Sequence, residues 1–143
     1  MVNFIDVTKK CNLSDYLIGL DSNALLIYSP TSLRKANFIN KNKVICLSTA
    51  QITKEVENIS HIIQKVPSNI CKIVALGGGT AIDIAKYISL KLNKPLVAIP
   101  SMLSTNVYAT NKVALLIEQH KTTLMGKVPD KIYVDFNFLK KSS

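Results

Sequence analysis

Residues 72–86 read Lys72-Ile-Val-Ala-Leu-Gly77-Gly78-Gly79-Thr80-Ala-Ile-Asp83-Ile-Ala-Lys86. A short apolar run enters three consecutive glycines, and a helical pattern begins directly after them. Strand, glycine turn and helix N-terminus together expose bare backbone N–H groups, an arrangement suited to a phosphate or pyrophosphate. Three glycines in a row are costly in chain entropy, so they need a reason. Close approach of a ligand is one reason. A tight strand-to-helix turn packed on its neighbours is the other.

Two common phosphate fingerprints are excluded. A Walker A loop needs Gly-Lys-Ser/Thr where Thr80-Ala81-Ile82 stand. The Gly-x-Gly-x-x-Gly pattern needs glycine at Ile82. Asp83 follows Thr80 by three residues, the spacing of a capping-box variant with Thr80 as N-cap and Asp83 at N3. An acid aimed at a phosphate would repel it. A functional Asp83 therefore faces an amide or hydroxyl of the ligand, and an Asp83–Lys86 pair at i,i+3 is the alternative use.

Outward from this turn, strand and helix signals alternate. Short apolar runs occupy 23–29, 43–48, 72–76 and 95–99, with further strands expected at 113–118 and 131–135 and a return of 121–124 as a hairpin. Helical patterns fall at 31–40, 52–63 (capped from Ser48 or Thr49) and 80–93. Apolar runs without polar alternation, separated by helices, indicate a doubly wound, mainly parallel α/β sheet with helices on both faces (Rossmann-like), with a C-terminal β-hairpin region. One domain over 1–143 accounts for the length. Ligands of such sheets sit outside the carboxyl ends of the strands, so the glycine turn and the loop 100–104 should share one rim.

Composition narrows the partners. The chain has 143 residues, 48% of them hydrophobic, and a net charge of +9. All its basic residues except Arg34 are lysines, scattered along the chain, which reads as a solvated surface and not as a nucleic-acid face. No apolar stretch has membrane-spanning length, and residues 1–10 lack a signal-peptide pattern, so a cytoplasmic protein is expected. Cys11, Cys46 and Cys71 have no Cys-x-x-Cys spacing and read as reduced, mostly buried thiols. His61 and His120 stand without carboxylate–histidine spacing, so no metal site is expected here.

Gly-Gly-Gly-Thr-Ala-Ile-Asp-Ile-Ala-Lys at 77–86, followed by Pro-Leu-Val-Ala-Ile-Pro-Ser-Met-Leu-Ser-Thr at 95–105, resembles the nucleotide-binding half of one superfamily. It contains iron-containing alcohol dehydrogenases, glycerol-1-phosphate dehydrogenases and dehydroquinate synthases. The closing Lys131-Ile-Tyr-Val-Asp135 is similar to the family strand before its second domain. The resemblance implies NAD or NADP as cofactor, with Gly77, Gly78, Gly79 and Thr80 at the pyrophosphate and Asp83 at the nicotinamide carboxamide. Ser101, Ser104 and Thr105 would line the nicotinamide side. Asn106, Tyr108 and Lys112 are substrate-side candidates for a small alcohol or phosphorylated polyol. Asn106 replaces an acid of the glycerol-1-phosphate enzymes, and Val107-Tyr108 lacks the acid of the synthases, so neither substrate transfers directly.

The family's divalent metal (Fe or Zn) sits in a helical C-terminal domain whose Asp-x-x-x-His pattern has no counterpart before Ser143. The expectation is a dehydrogenase half, inactive by itself, with a homo-oligomer or a missing C-terminal domain covering its open face. A dehydroquinate-synthase-like cyclase fragment and a stand-alone nucleotide-binding module are the other readings.

Overall fold

The structure is a computed structural model that describes residues 3–6, 13–102 and 110–142. Among the described residues, eight strands and five helices follow one another. They are β1 (Asn3–Asp6), α1 (Leu13–Ile18), β2 (Ala24–Tyr28), α2 (Pro30–Lys35), β3 (Ile45–Ser48), α3 (Val56–Lys65), β4 (Lys72–Gly77), α4 (Gly79–Leu92), β5 (Leu96–Pro100), β6 (Lys112–Ile117), β7 (His120–Met125), β8 (Lys131–Val134) and α5 (Phe136–Ser142).

Six strands form one sheet in the order β1-β8-β5-β4-β2-β3, and every pairing in it is parallel. The doubly wound α/β architecture read from the sequence is therefore present. A hairpin, β6–β7, stands apart as a two-stranded antiparallel sheet. Its two tip residues, Glu118 (φ 50°) and Gln119 (φ 67°), both have positive φ. That is the backbone of a two-residue turn whose hand matches strand twist.

The pleat sorts the core. From β2 and β4, Leu25, Ile27, Ile73 and Ala75 point to one face, with α3, α4 and the hairpin; Leu26, Val74 and Leu76 point to the other, with α1 and α5. Helix α4 is covered on nearly every side, since Ala81 through Ser89 are all buried between the sheet and the hairpin. Its last turn closes on Asn93 in the left-handed region (φ 54°).

Three local expectations are corrected. The helix expected at 31–40 stops at Lys35, and the chain turns through Asn37 at φ 53°. The helix expected from Ser48 or Thr49 starts at Val56, because Ser48 Oγ instead accepts from Ala50 N–H in a turn of its own. Cys71 is exposed and Cys46 half-buried: Cys71 lies just before β4, where the chain enters the sheet at its surface. Cys11 lies outside the described residues.

Strand order reverses between β2 and β4, since β3 packs outside β2 and the chain then returns across it to β4. Such a switch point opens a crevice at the carboxyl ends of the two strands. Gly77 ends β4 there, beside Ser29 at the end of β2, whose N–H donates to Leu76 O (3.0 Å).

Candidate functional site: the glycine turn and Asp83

The three glycines are not equivalent. Gly77 has φ +149°, and a Cβ there would lie 2.9 Å from Ser29 Oγ and 3.2 Å from Ala81 Cβ. Backbone geometry and packing both demand glycine at this position. Gly78 is extended (φ −91°, ψ −158°), and a Cβ on it would meet Ser101 Oγ at an ordinary 3.8 Å. A Cβ at Gly79 would meet no described atom within 4 Å. The tight-turn explanation thus covers Gly77 and leaves Gly78 and Gly79 without a packing reason.

Helix α4 is capped two residues earlier than the sequence spacing indicated, at Gly78 instead of Thr80. Gly78 is its N-cap, without a side-chain cap, and Ile82 N–H makes a first helical bond to Gly78 O (3.1 Å). The capping box is therefore absent. Thr80 is exposed in the first turn, and Asp83 lies beyond it, one turn further along the helix. The extended Gly78 backbone makes the early start possible. Helix geometry leaves the first N–H groups of α4 without intrahelical acceptors, beside the crevice. Ser101 N–H donates to Gly77 O (2.9 Å), which ties the end of β5 to the glycine turn.

Asp83 is buried, with 5% of its surface exposed. Its Oδ2 accepts from Ala114 N–H of β6 (3.4 Å) and lies 4.0 Å from Lys54 Nζ. Its Oδ1 is fully enclosed and has no hydrogen-bond partner among the described residues. A carboxylate oxygen left so is costly, and in a native fold it asks for a ligand or solvent partner. Burial raises the Asp83 carboxyl above its ordinary value, while Ala114 N–H, Lys54 and Lys86 pull it back.

Lys86 is fully buried one turn along α4. Its Nζ donates to Lys112 O (2.8 Å) and Thr110 Oγ1 (3.5 Å), so its hydrogen bonds run to the base of the hairpin. Burial lowers its ammonium from the ordinary lysine value, and the Asp83 charge opposes that. Lys127 N–H donates to Lys86 O (3.0 Å), and a Cβ on Gly126 would lie 2.9 Å from Lys86 Cβ. Residue 86 thus holds both ends of the hairpin.

Of the residues singled out in the sequence, Gly77, Gly78, Gly79, Thr80 and Ser101 meet at one rim, with Asp83 one turn down α4. Lys112 opens β6 with its side chain exposed and its carbonyl on Lys86. Ser104, Thr105, Asn106 and Tyr108 lie outside the described residues. Two neighbours were missed, Ser29 and Lys54. Ser29 directly follows β2 at its carboxyl end, and the rim argument applied to all strands would have found it; Lys54 lies well past the end of β3, and nothing local marks it. Among the described residues, no three or more His, Cys, Asp or Glu are placed to hold a metal ion.

The family model of iron-containing alcohol dehydrogenases matches residues 16–142. The chain belongs to that family. A glycerol-1-phosphate dehydrogenase (NAD(P)+) of Methanococcus aeolicus is 38% identical over 77 residues, 52% of this chain and 21% of the relative. That of Thermococcus kodakarensis is 26% identical over 129 residues, 86% of this chain and 37% of the relative. The chain therefore spans well under half the length of these relatives.

Among solved structures, an iron-containing alcohol dehydrogenase from Corynebacterium glutamicum superposes with a TM-score of 0.74 at 20% identity, over 97% of this chain and 41% of that one. Glycerol dehydrogenase from Schizosaccharomyces pombe gives 0.72 at 16%, over 96% and 38%. At these identities the likeness is one of fold.

Proposed function

We propose that this chain is the NAD(P)-binding domain of a metal-dependent alcohol or polyol dehydrogenase, with glycerol phosphates in the substrate class. The observation that carries the reading is the contrast within the glycine turn. Gly77 is needed by the fold, whereas Gly78 and Gly79 keep space clear of every described side chain at the start of a 14-residue helix. A pyrophosphate approaching the open N–H groups of α4 uses that space.

The rest of the rim suits the other end of a dinucleotide. Asp83 Oδ1, without a hydrogen-bond partner among the described residues, is an acceptor for the carboxamide N–H of a nicotinamide. Ser101 borders the turn, and Ser104 and Thr105 follow it in sequence; Asn106, Tyr108 and Lys112 are the substrate-side set. The nicotinamide supplies the hydride chemistry when bound, and these residues bind and orient it. Names of relatives that carry NAD(P)+ support the cofactor class. The described residues offer no fit to a metal, so no step is assigned to one within this chain.

Titration of the 143-residue chain with NADH and NADPH tests the reading. Saturable binding is expected, and Gly79→Ala should weaken it about tenfold or more, equivalent to about 1.4 kcal/mol, by placing a methyl where phosphate oxygens approach. That variant should keep its fold, since the added methyl meets no described atom within 4 Å. Unchanged affinity in a folded Gly79→Ala protein would remove the pyrophosphate from the glycine turn.

A further inference from the structure

Lys54 belongs to none of the motifs in the sequence. It sits on the connection from β3 to α3, and its backbone is held there from outside: Leu116 N–H donates to Lys54 O (2.9 Å), and Glu55 bridges to Leu116. Glu55 Oε1 accepts from Gln119 N–H at the hairpin tip (3.1 Å). The hairpin thus pins this connection at two neighbouring residues. The pinned backbone sends the Lys54 ammonium to within 4.0 Å of Asp83 Oδ2, with the side chain about one-third exposed (34%).

Among the described residues, three groups face the Asp83 carboxyl. Lys54 comes from the β3–α3 connection, Ala114 N–H from β6, and Lys86 from α4 itself. Two of them, Lys54 and Ala114 N–H, contact Oδ2. Oδ1 receives no hydrogen bond among the described residues and is shielded from solvent. The asymmetry has a chemical consequence. An ionised carboxylate with one oxygen engaged offers the other as an acceptor only. A protonated one can turn its O–H toward the same ligand donor and repel it.

We propose that Lys54 is a positioning residue of the glycine-turn site: its ammonium engages Oδ2 of Asp83, so that Oδ1 is reserved for an N–H or O–H donor of the bound ligand. Lys54 acts through Asp83 and does not touch the ligand. The ligand in this inference is the dinucleotide of the preceding section, and the inference rests on that reading for the ligand but not for the geometry. An ammonium also fits the position on electrostatic grounds. It offsets the cost of enclosing a carboxylate, which the hydrogen bond to Ala114 N–H at 3.4 Å does only weakly.

The test compares Lys54→Met and Lys54→Arg with the unsubstituted chain. NADH affinity is measured from neutral pH downward. In Lys54→Met the acid limb of binding should move to higher pH by about half a unit or more, a threefold change in proton affinity, and Lys54→Arg should restore it. A limb that stays in place in Lys54→Met overturns the assignment. A purely structural lysine would change melting temperature and leave that limb unmoved.

The second measurement needs no ligand. Carboxyl-carbon NMR titration of Asp83 should move upward in Lys54→Met and not in Lys54→Arg, and an unmoved titration again overturns the proposal. Failure of the unsubstituted chain to bind either dinucleotide would overturn the cofactor reading, while the carboxyl titration still decides the role of Lys54.

Discussion

At the scale of single residues, Asp83 sets the cost of enclosing a charge against the ligand role proposed for it. Its pKa is raised from an ordinary 3.8, chiefly by burial. The folded state therefore holds its proton more tightly than the unfolded state does. By linkage, stability falls as pH rises from that ordinary value through the raised one. Asp83→Asn removes the enclosed charge. We expect it to melt higher than the parent at neutral pH, and the gain should shrink toward zero below the ordinary carboxyl value. Dinucleotide affinity should fall in the same variant, because an amide cannot offer the same charged acceptor. Thermal melts across pH together with NADH titration check both halves; a variant less stable at neutral pH would contradict the burial cost. Gly77→Ala provides the opposite pattern. It should lose about 1–3 kcal/mol of stability in urea unfolding, since it strains φ +149° and crowds Ser29.

At the scale of elements, the hairpin ties α4 to the β3–α3 connection. Asp83 and Lys86 take its inner strand, and Lys54 and Glu55 take its outer end. The closest approach is at Gly126, where a Cβ would lie 2.8 Å from Val113 and 2.9 Å from Lys86 Cβ. Gly126→Ala should therefore lift the hairpin base from α4. Amide hydrogen exchange at Ala114 and Lys127 should speed up about tenfold or more, with β4 and β5 unaffected, as expected of a local opening. Equal acceleration in the central strands would show that the hairpin is not a separate unit. Little of this docking was legible in sequence. The apolar period gave the strands of the hairpin away, but its tip is Glu118-Gln119, not Asn-Gly, and nothing local announces a positive-φ pair there.

At the scale of the whole molecule, the centre of the parallel sheet was readable because β2, β4 and β5 are apolar runs closed by Gly or Pro, whereas the edge strand β1, Asn3-Phe-Ile-Asp6, carries no such run and was missed. The meeting of the glycine turn and the end of β5 at one rim follows from topology alone. Helix starts were less readable. Gly78 caps α4 through backbone extension alone, and the turn at 48–52 spends Ser48 on Ala50. Lys54 was illegible because its role depends on a hairpin more than sixty residues downstream. A further prediction belongs at this scale. With no set of metal ligands among the described residues, the 143-residue chain should show no metal-dependent oxidation of glycerol or glycerol phosphate, even where it binds the dinucleotide. Turnover under those conditions would mean that residues outside the described ones complete a site.

The anchors of Ser101 and of Lys112 carry one more consequence. Ser101 N–H is fastened to Gly77 O, and Thr110 and Lys112 are fastened to Lys86. Gly77 and Lys86 bracket the first turns of α4, so the end of β5 and the base of the hairpin both take their places from one short helix start. A shift of that helix along its axis would carry the rim and the hairpin with it, which couples the three as one block.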